Sequence, residues 1–380
     1  MARTVDVIVA GLGAMGSATV YQLAARGKRV LGFDRFCPPH GQGSSHGHAR
    51  VIREAYPAGS GYVPLVLRAY ELWYELERAS GEELVKTYGH LSMRRSDDRD
   101  ARGMVQSAGA FDIPIERIPA DEIRRRYPMF RPEEDWEGIY EPRAGAVFPE
   151  KCIGAYLKLA EQAGAVLRCD ESVLAWNPDG GGVRVTTAKG TFRADRLVIT
   201  AGAWVDRLVA ELGLPVTIER MTIFMFEPVR NAELFTPDRC PNNSWGCGPG
   251  PSFYCQPDFG CGFKAALHRG QPGVDPDALV RKTTAKDEGV IRPLVERYIP
   301  DAAGRVLESV VCMYTNLPDS RWLIDHHPEH PQVIIGSPCS GHGFKFSAVI
   351  GEMLADMALG SASRFDIDVF GIDRLLHPKA

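Results

Sequence analysis

Apolar and polar positions change period several times along this chain of 380 residues, and each change marks an element. Residues 5–10, "VDVIVA", form an apolar run; glycines follow at 11, 13 and 16, and apolar positions then resume at helical spacing. This predicts a buried strand, a turn and a helix, and "RVLGFD" predicts a second strand that ends in Asp34. In "YVPLVLRAYELWYELER", Val63, Val66, Tyr70, Trp73 and Tyr74 recur at steps of three and four with Pro64 near the start, the pattern of an amphipathic helix. Residues 86–149 are mixed and polar, with short strand-like pieces such as "HLSMRR" and "GIYEPRAGAVF". A helix is expected over 151–163, and the alternation that follows it reads as a small antiparallel sheet. "LVITAGAW" departs from that alternation: an apolar run into small residues marks the chain's return to the first sheet. Strands around 217–229 and 253–268 and a helix near 287–298 follow, and "PQVIIGSPCSGHGFKFSAVIGEMLADMAL" gives a strand, a glycine turn and a helix.

These elements predict a mixed α/β chain: a Rossmann-type dinucleotide domain and a second domain on a mixed, largely antiparallel sheet. Two domains are the expectation at this length. Residues 1–85, 150–215 and 310–380 group with the first, and residues 86–149 and 216–309 with the second. A formal charge of −4 gives no electrostatic reason for a nucleic-acid partner, and no run approaches the roughly twenty apolar residues of a membrane span. "MARTVDVIVAG" enters a strand at once, leaving no room for a leader, so the cytoplasm is the expected location. Nine cysteines without CxxC spacing read as reduced thiols. The gaps among Cys240, Cys247, Cys255 and Cys261 are too long and irregular for a structural zinc site, and no metal is expected.

Chemistry enters with the glycines. Gly11, Gly13 and Gly16 follow a strand, open a helix and precede the acidic Asp34 at the distance a dinucleotide fingerprint requires. Positions without side chains let a pyrophosphate approach N–H groups at a helix N-terminus, and a carboxylate there accepts hydrogen bonds from ribose hydroxyls. The fingerprint alone does not separate flavin from nicotinamide enzymes.

Five segments together are more specific: "GLGAMGSATVYQLA", "PPHGQGSSHGHARVIREAY", "YVPLVLRAYELWYELE", "CMYTNLPDSRWLID" and "SGHGFKFSAVIGEMLAD". In this order and separation the chain resembles the flavin-dependent amine oxidases of the monomeric sarcosine oxidase and N-methyltryptophan oxidase type. The resemblance implies FAD, a monomer, and oxidation of a secondary or cyclic amino acid at its C–N bond to an imine, with O2 reduced to hydrogen peroxide. It assigns the flavin contacts to Gly11, Gly13, Gly16, Asp34, Ser44, His46, Arg50, Val173, Gly341, Gly343, Phe344 and Lys345, with the late helix starting near Phe344. It makes Cys312 the thioether partner of the flavin 8α-methyl, with Arg50 or His46 as the helping cation. Arg53 and Lys345 are implied for the substrate carboxylate, Lys264 for oxygen activation, His268 for a place beside the amine, and Tyr254 and Tyr314 for the substrate-facing wall. Sarcosine is the first substrate expected, then proline, pipecolate or a bulkier N-substituted amino acid; a dehydrogenase passing electrons to another acceptor is the rival. The chain departs from the family pattern at His48, Ala49, Glu54, Pro338 and Cys339 and through "CPNNSWGCGPGPSF", departures that bear on the substrate more than on the flavin.

Overall fold

The computed structural model describes residues 4–56, 61–247 and 250–377; residues 1–3, Gly248 and Pro249, parts of two segments quoted above, lie outside them. Thr4–Ala10 is the centre of a parallel set, with Val30–Phe33 on one side and Gly190–Ile199 on the other. Val166–Arg168 extends the set beyond Val30–Phe33, and Val333–Ser337 pairs in parallel with the end of Gly190–Ile199. The beginning of that last strand instead pairs antiparallel with Gly182–Thr187, so one long strand serves the parallel set and the antiparallel hairpin in turn. The near-continuous apolar run at residues 7–10 follows from burial on both faces, which a parallel sheet covered by helices imposes. Ala14–Ala25 packs between Pro149–Gln162 and Ser347–Leu359 on one side of this sheet, and Tyr62–Ser80 lies against the last of them.

The second sheet has nine strands, all antiparallel neighbours except His90–Arg95 beside Asn242–Trp245. Its membership differs from the grouping by sequence at two places, one being Gly145–Val147, which pairs instead with Arg50–Ile52 and Val85–Thr87 in a separate small sheet. Val306–Asn316 pairs along its whole length with Thr217–Phe226, so Cys312 stands in the nine-stranded sheet and not in the parallel one. Two helices within residues 86–149, Arg99–Ala110 and Ala120–Arg126, add to the strands expected there. The late helix also starts later than near Phe344: Phe344–Phe346 is a tighter 3-10 turn and the α-helix runs Ser347–Leu359. The Trp73 indole donates to the Lys345 carbonyl at 2.9 Å, taking an acceptor that a regular α-helical turn would use. Among the described residues no helix is long and apolar enough to cross a membrane.

One face of the nine-stranded sheet is a core of Trp245, Phe253, Phe224, Phe263 and Tyr298. Because strand side chains alternate, the residues between these point to the opposite face, and that face carries the candidate chemistry.

Candidate active site

A cleft of about 470 Å3 opens at the C-terminal end of the first strand, lined by Gly11, Gly13, Asp34, Ser44 and Val173 and reaching Pro338 and Cys339. The fingerprint glycines are there for three separate reasons. Gly11 has φ +98° and a Cβ on it would stand 2.5 Å from the Thr200 carbonyl oxygen; a Cβ on Gly16 would stand 1.7 Å from the Gly11 oxygen. At Gly13 only the Ser45 hydroxyl comes as near as 4.0 Å, so the space above it belongs to the cleft. Asp34 accepts from the amides of Leu12 at 2.7 Å and Phe36 at 2.8 Å, which fixes its carboxylate at the rim with lone pairs left for a ribose. A dinucleotide fits these residues: bare backbone at a helix N-terminus, and an anchored acid beyond it.

The loop after the second strand leads to a cluster of cations. Arg50 donates to the Ser44 carbonyl at 3.2 Å, the Ala49 carbonyl at 3.0 Å and the His46 carbonyl, binding the loop to its own side chain. Glu150 accepts from the Gly47 amide at 2.7 Å. Lys264, almost fully buried, donates to the Gly47 carbonyl at 3.0 Å and the Ala49 carbonyl at 2.6 Å. Burial, and then the Arg50 guanidinium, pulls the Lys264 ammonium well below its ordinary value. Cys312 is buried in the same cluster, opposite Met221 and packed with Ile223, Met225 and Ala266. Burial pushes its thiol up while Arg50 and Lys264 pull it back. His46 faces the Val311 carbonyl at 3.2 Å, and burial with the Arg50 charge lowers its imidazole to about 4. It is therefore neutral near pH 7, and the cations near Cys312 are Arg50 and Lys264.

Tyr254, Tyr314 and His268 come together beside that cluster. The rings of Tyr254 and His268 are 5.1 Å apart, and Tyr314 hydrogen-bonds Tyr254, whose phenol burial raises to about 12. Desolvation by the surrounding protein, then Arg53, Arg94 and Lys345, lowers the His268 imidazole; the residue is itself exposed to solvent, and the direction of the shift leaves a neutral ring near pH 7. A Cβ on Gly341, at φ +79°, would strike the Tyr314 ring at 2.7 Å, and one on Gly343 would strike the Pro338 oxygen at 1.8 Å. Phe344 stacks on Trp73 at 6.2 Å, which seats the turn that carries Lys345.

Arg53 and Lys345 meet over one ring. The Arg53 guanidinium lies 5.8 Å and the Lys345 ammonium 5.5 Å from the centre of Tyr56. Arg53 donates to the Met104 sulfur at 3.4 Å and Lys345 to the His342 carbonyl at 3.0 Å, and among the described residues neither forms an ion pair. Burial and the Arg53 charge lower Lys345 to about 7. Sequence reasoning passed over Tyr56, and also Glu141, whose carboxylate accepts from the Ala55 amide at 3.0 Å and from the Glu54 amide, fixing the segment behind Arg53. Burial raises Glu141 to about 7. Thr200 was missed too: its hydroxyl donates to the Gly11 carbonyl at 2.7 Å and holds the first glycine in place.

The family model described as FAD dependent oxidoreductase (DAO) matches residues 6–357. A monomeric sarcosine oxidase of Streptomyces avermitilis is 41% identical over 99% of this chain and 99% of its own. An N-methyl-L-tryptophan oxidase of Salmonella dublin is 33% identical over 97% of this chain and 98% of its own. Among solved structures, the open form of NikD, described as an unusual amino acid oxidase essential for nikkomycin biosynthesis, aligns with a TM-score of 0.85 at 24% identity and covers 97% of each chain. With its parallel sheet ending at the glycine cleft and its antiparallel sheet bearing the cation cluster, the chain belongs to the FAD dependent oxidoreductase family, with the monomeric sarcosine oxidases and N-methyl-L-tryptophan oxidases among its relatives.

Proposed function

We propose that this enzyme oxidises N-methyl and related secondary amino acids, working as a cytoplasmic monomer with FAD bound through Cys312. The observation that carries the substrate reading is the pair of cations over Tyr56, Arg53 and Lys345, neither offset by an ion pair among the described residues. A guanidinium fork and a point charge over one ring suit an α-carboxylate. When bound, FAD takes the two electrons of the C–N oxidation and passes them to O2, which leaves as hydrogen peroxide.

The protein's own groups hold and select. Arg53 and Lys345 fix the carboxylate, so the amine nitrogen and its substituents lie over Tyr254 and His268. The positive field of Arg53 and Lys345 disfavours an ammonium and so favours the neutral amine whose lone pair the oxidation needs, while His268, its imidazole pKa lowered, stays neutral beside it. Lys264, tied to two loop carbonyls, supplies the positive end toward which electron density moves as O2 is reduced. Purified enzyme incubated with sarcosine, N-methyl-L-alanine, L-proline and L-pipecolate should release peroxide with at least one, and the flavin absorbance should bleach when oxygen is removed. Bleaching with no oxygen uptake would instead support a dehydrogenase.

The carboxylate reading also fixes a pH dependence. Lys345 is charged below about pH 7 and loses its charge above it, so affinity for a carboxylate is fully present below that pH and falls as pH rises through it. Glu141 gains negative charge over the same range and acts in the same direction. Titrating the flavin absorbance with acetate should show this step; in Lys345→Met the step should be shallower and binding at pH 6 weaker by about thirtyfold or more.

A further inference from the structure

Two thiols that no step of the chemistry above uses meet beside the dinucleotide cleft. Val30–Phe33 and Val166–Arg168 run in parallel with Phe33 opposite Arg168, and the pairing carries on past both strand ends. The Asp34 amide donates to the Arg168 carbonyl at 3.0 Å, the Glu171 amide to the Asp34 carbonyl at 2.8 Å, and the Asp170 amide to the Phe36 carbonyl at 3.3 Å. Cys37 follows the acceptor of that last bond and Cys169 precedes its donor, so the two cysteines flank one main-chain hydrogen bond. Chains joined in this way lie about 5 Å apart, within the Cα separation of about 4.4–6.8 Å that a disulfide spans. The side chains follow the backbone: the Cys169 thiol hydrogen-bonds the Cys37 thiol, and both are free.

The two differ in access. Of the nine cysteines, all among the described residues, Cys37 alone is exposed, and Cys169 is partly covered. Burial, then the neighbouring Cys37, pushes the Cys169 thiol up, so Cys169 keeps its proton while Cys37 meets solvent first. Cys37 is thus the thiol an oxidant reaches, and Cys169 the thiol placed to resolve the product. The oxidase reaction supplies that oxidant as hydrogen peroxide. From this geometry we infer that Cys37 and Cys169 are a reversible redox pair, closed to a disulfide at the lip of the cleft by the enzyme's own peroxide. The Cys37 sulfur attacks one peroxide oxygen, the O–O bond breaks, water leaves and a sulfenic acid remains; the Cys169 sulfur then displaces the hydroxyl as a second water. Two thiols and one peroxide become one disulfide and two waters, the two electrons of the thiols reducing the peroxide. The bond ties two walls of the cleft together, because Phe36 and Pro38 line it on either side of Cys37, and Ser172, Val173 and Leu174 line it just beyond Cys169. A dithiol reductant restores both thiols. The source of the peroxide rests on the oxidase reading above; the pairing of the thiols does not.

The test treats reduced holoenzyme with a small excess of hydrogen peroxide, removes the excess with catalase, alkylates the remaining thiols in denaturant and maps the peptides by mass spectrometry. Wild type should lose two free thiols and yield a crosslinked pair of peptides carrying Cys37 and Cys169, and dithiothreitol should reverse the change. Cys169→Ser should stop at the sulfenic acid on Cys37, captured by dimedone, and Cys37→Ser should form no crosslink at Cys169. Where a variant folds poorly, the wild-type peptide map decides by itself. In a second arm, wild type turning over an amine in air should form the same crosslink, and catalase present throughout should suppress it. Added peroxide that leaves both thiols free or crosslinks another pair first overturns the inference, as does turnover that releases peroxide without forming the bond; in each case the oxidase reading stands. Release of no peroxide from any amine overturns the oxidase reading instead, while the arm with added peroxide still decides whether the two thiols pair.

Discussion

Lys264→Met is expected to slow oxygen consumption by about 10²–10³-fold while leaving anaerobic reduction by substrate within about tenfold of wild type. Methionine retains much of the stem volume and removes the ammonium, so the variant separates charge from packing. The lysine is held by the Gly47 and Ala49 carbonyls, which take two of its three N–H groups and leave one for a ligand. Because burial and Arg50 lower its pKa, its charge is lost on raising the pH sooner than that of an ordinary lysine, and oxygen reactivity should fall with it. Stopped-flow mixing of the substrate-reduced enzyme with oxygenated buffer measures the step directly. The substitution strands neither carbonyl, because the Gly47 carbonyl keeps the Ala49 amide at 2.9 Å and the Ala49 carbonyl keeps Arg50 at 3.0 Å, so the melting temperature should move little beside the kinetic loss. Equal slowing with oxygen and with an artificial acceptor would remove Lys264 from oxygen chemistry and favour a dehydrogenase.

How much of this was legible in the chain depended on whether the constraint was local. The glycine fingerprint was readable because its cause lies within a few residues: Gly16 is glycine because the Gly11 carbonyl is 1.7 Å from where its Cβ would be. The helix Tyr62–Ser80 was readable from its apolar stripe. Arg99–Ala110 was not, because its buried positions are mostly small, Ala101, Ser107 and Ala108 beside Met104, and its start depends on the Asp98 cap more than on a stripe. The sheet membership of Val306–Asn316 was equally hidden. Its alternation reports a strand but not a partner, and the partner, Thr217–Phe226, lies some ninety residues earlier.

The site divides along the same line. Arg53 and Lys345 are 292 positions apart and were joined only through family resemblance; the Tyr56 ring that brings them together carries no sequence signal. Glu141 reads as an ordinary acid at the end of a polar strand. Its part in fixing Glu54 and Ala55 exists only once two distant segments are folded together.

Cys312→Ala is expected to move all of the flavin from pellet to supernatant on acid precipitation, whereas wild type leaves a yellow pellet. Among the nine thiols two compete for the bond. Cys339 lines the cleft itself, yet the groups that lower its pKa are the neutral hydroxyls of Thr315 and Ser337, and burial leaves it at about 11. Cys312 has two cations acting on it, Arg50 and Lys264, and a thiolate is what would add to an electrophilic 8α-methyl carbon of the flavin. It also shares a sheet face with Tyr254 and Ala266, where the ring must lie if the amine is to meet it. Cys339→Ser should therefore keep the yellow pellet and Cys312→Ala should lose it; Arg50→Met, which removes one of the two cations, should slow attachment in apoenzyme incubated with FAD. A wild-type supernatant that carries the colour, or a yellow pellet from Cys312→Ala, would transfer the attachment elsewhere or abolish it. The loss of colour from the pellet does not depend on residual turnover, so it separates the bond from the catalysis it supports.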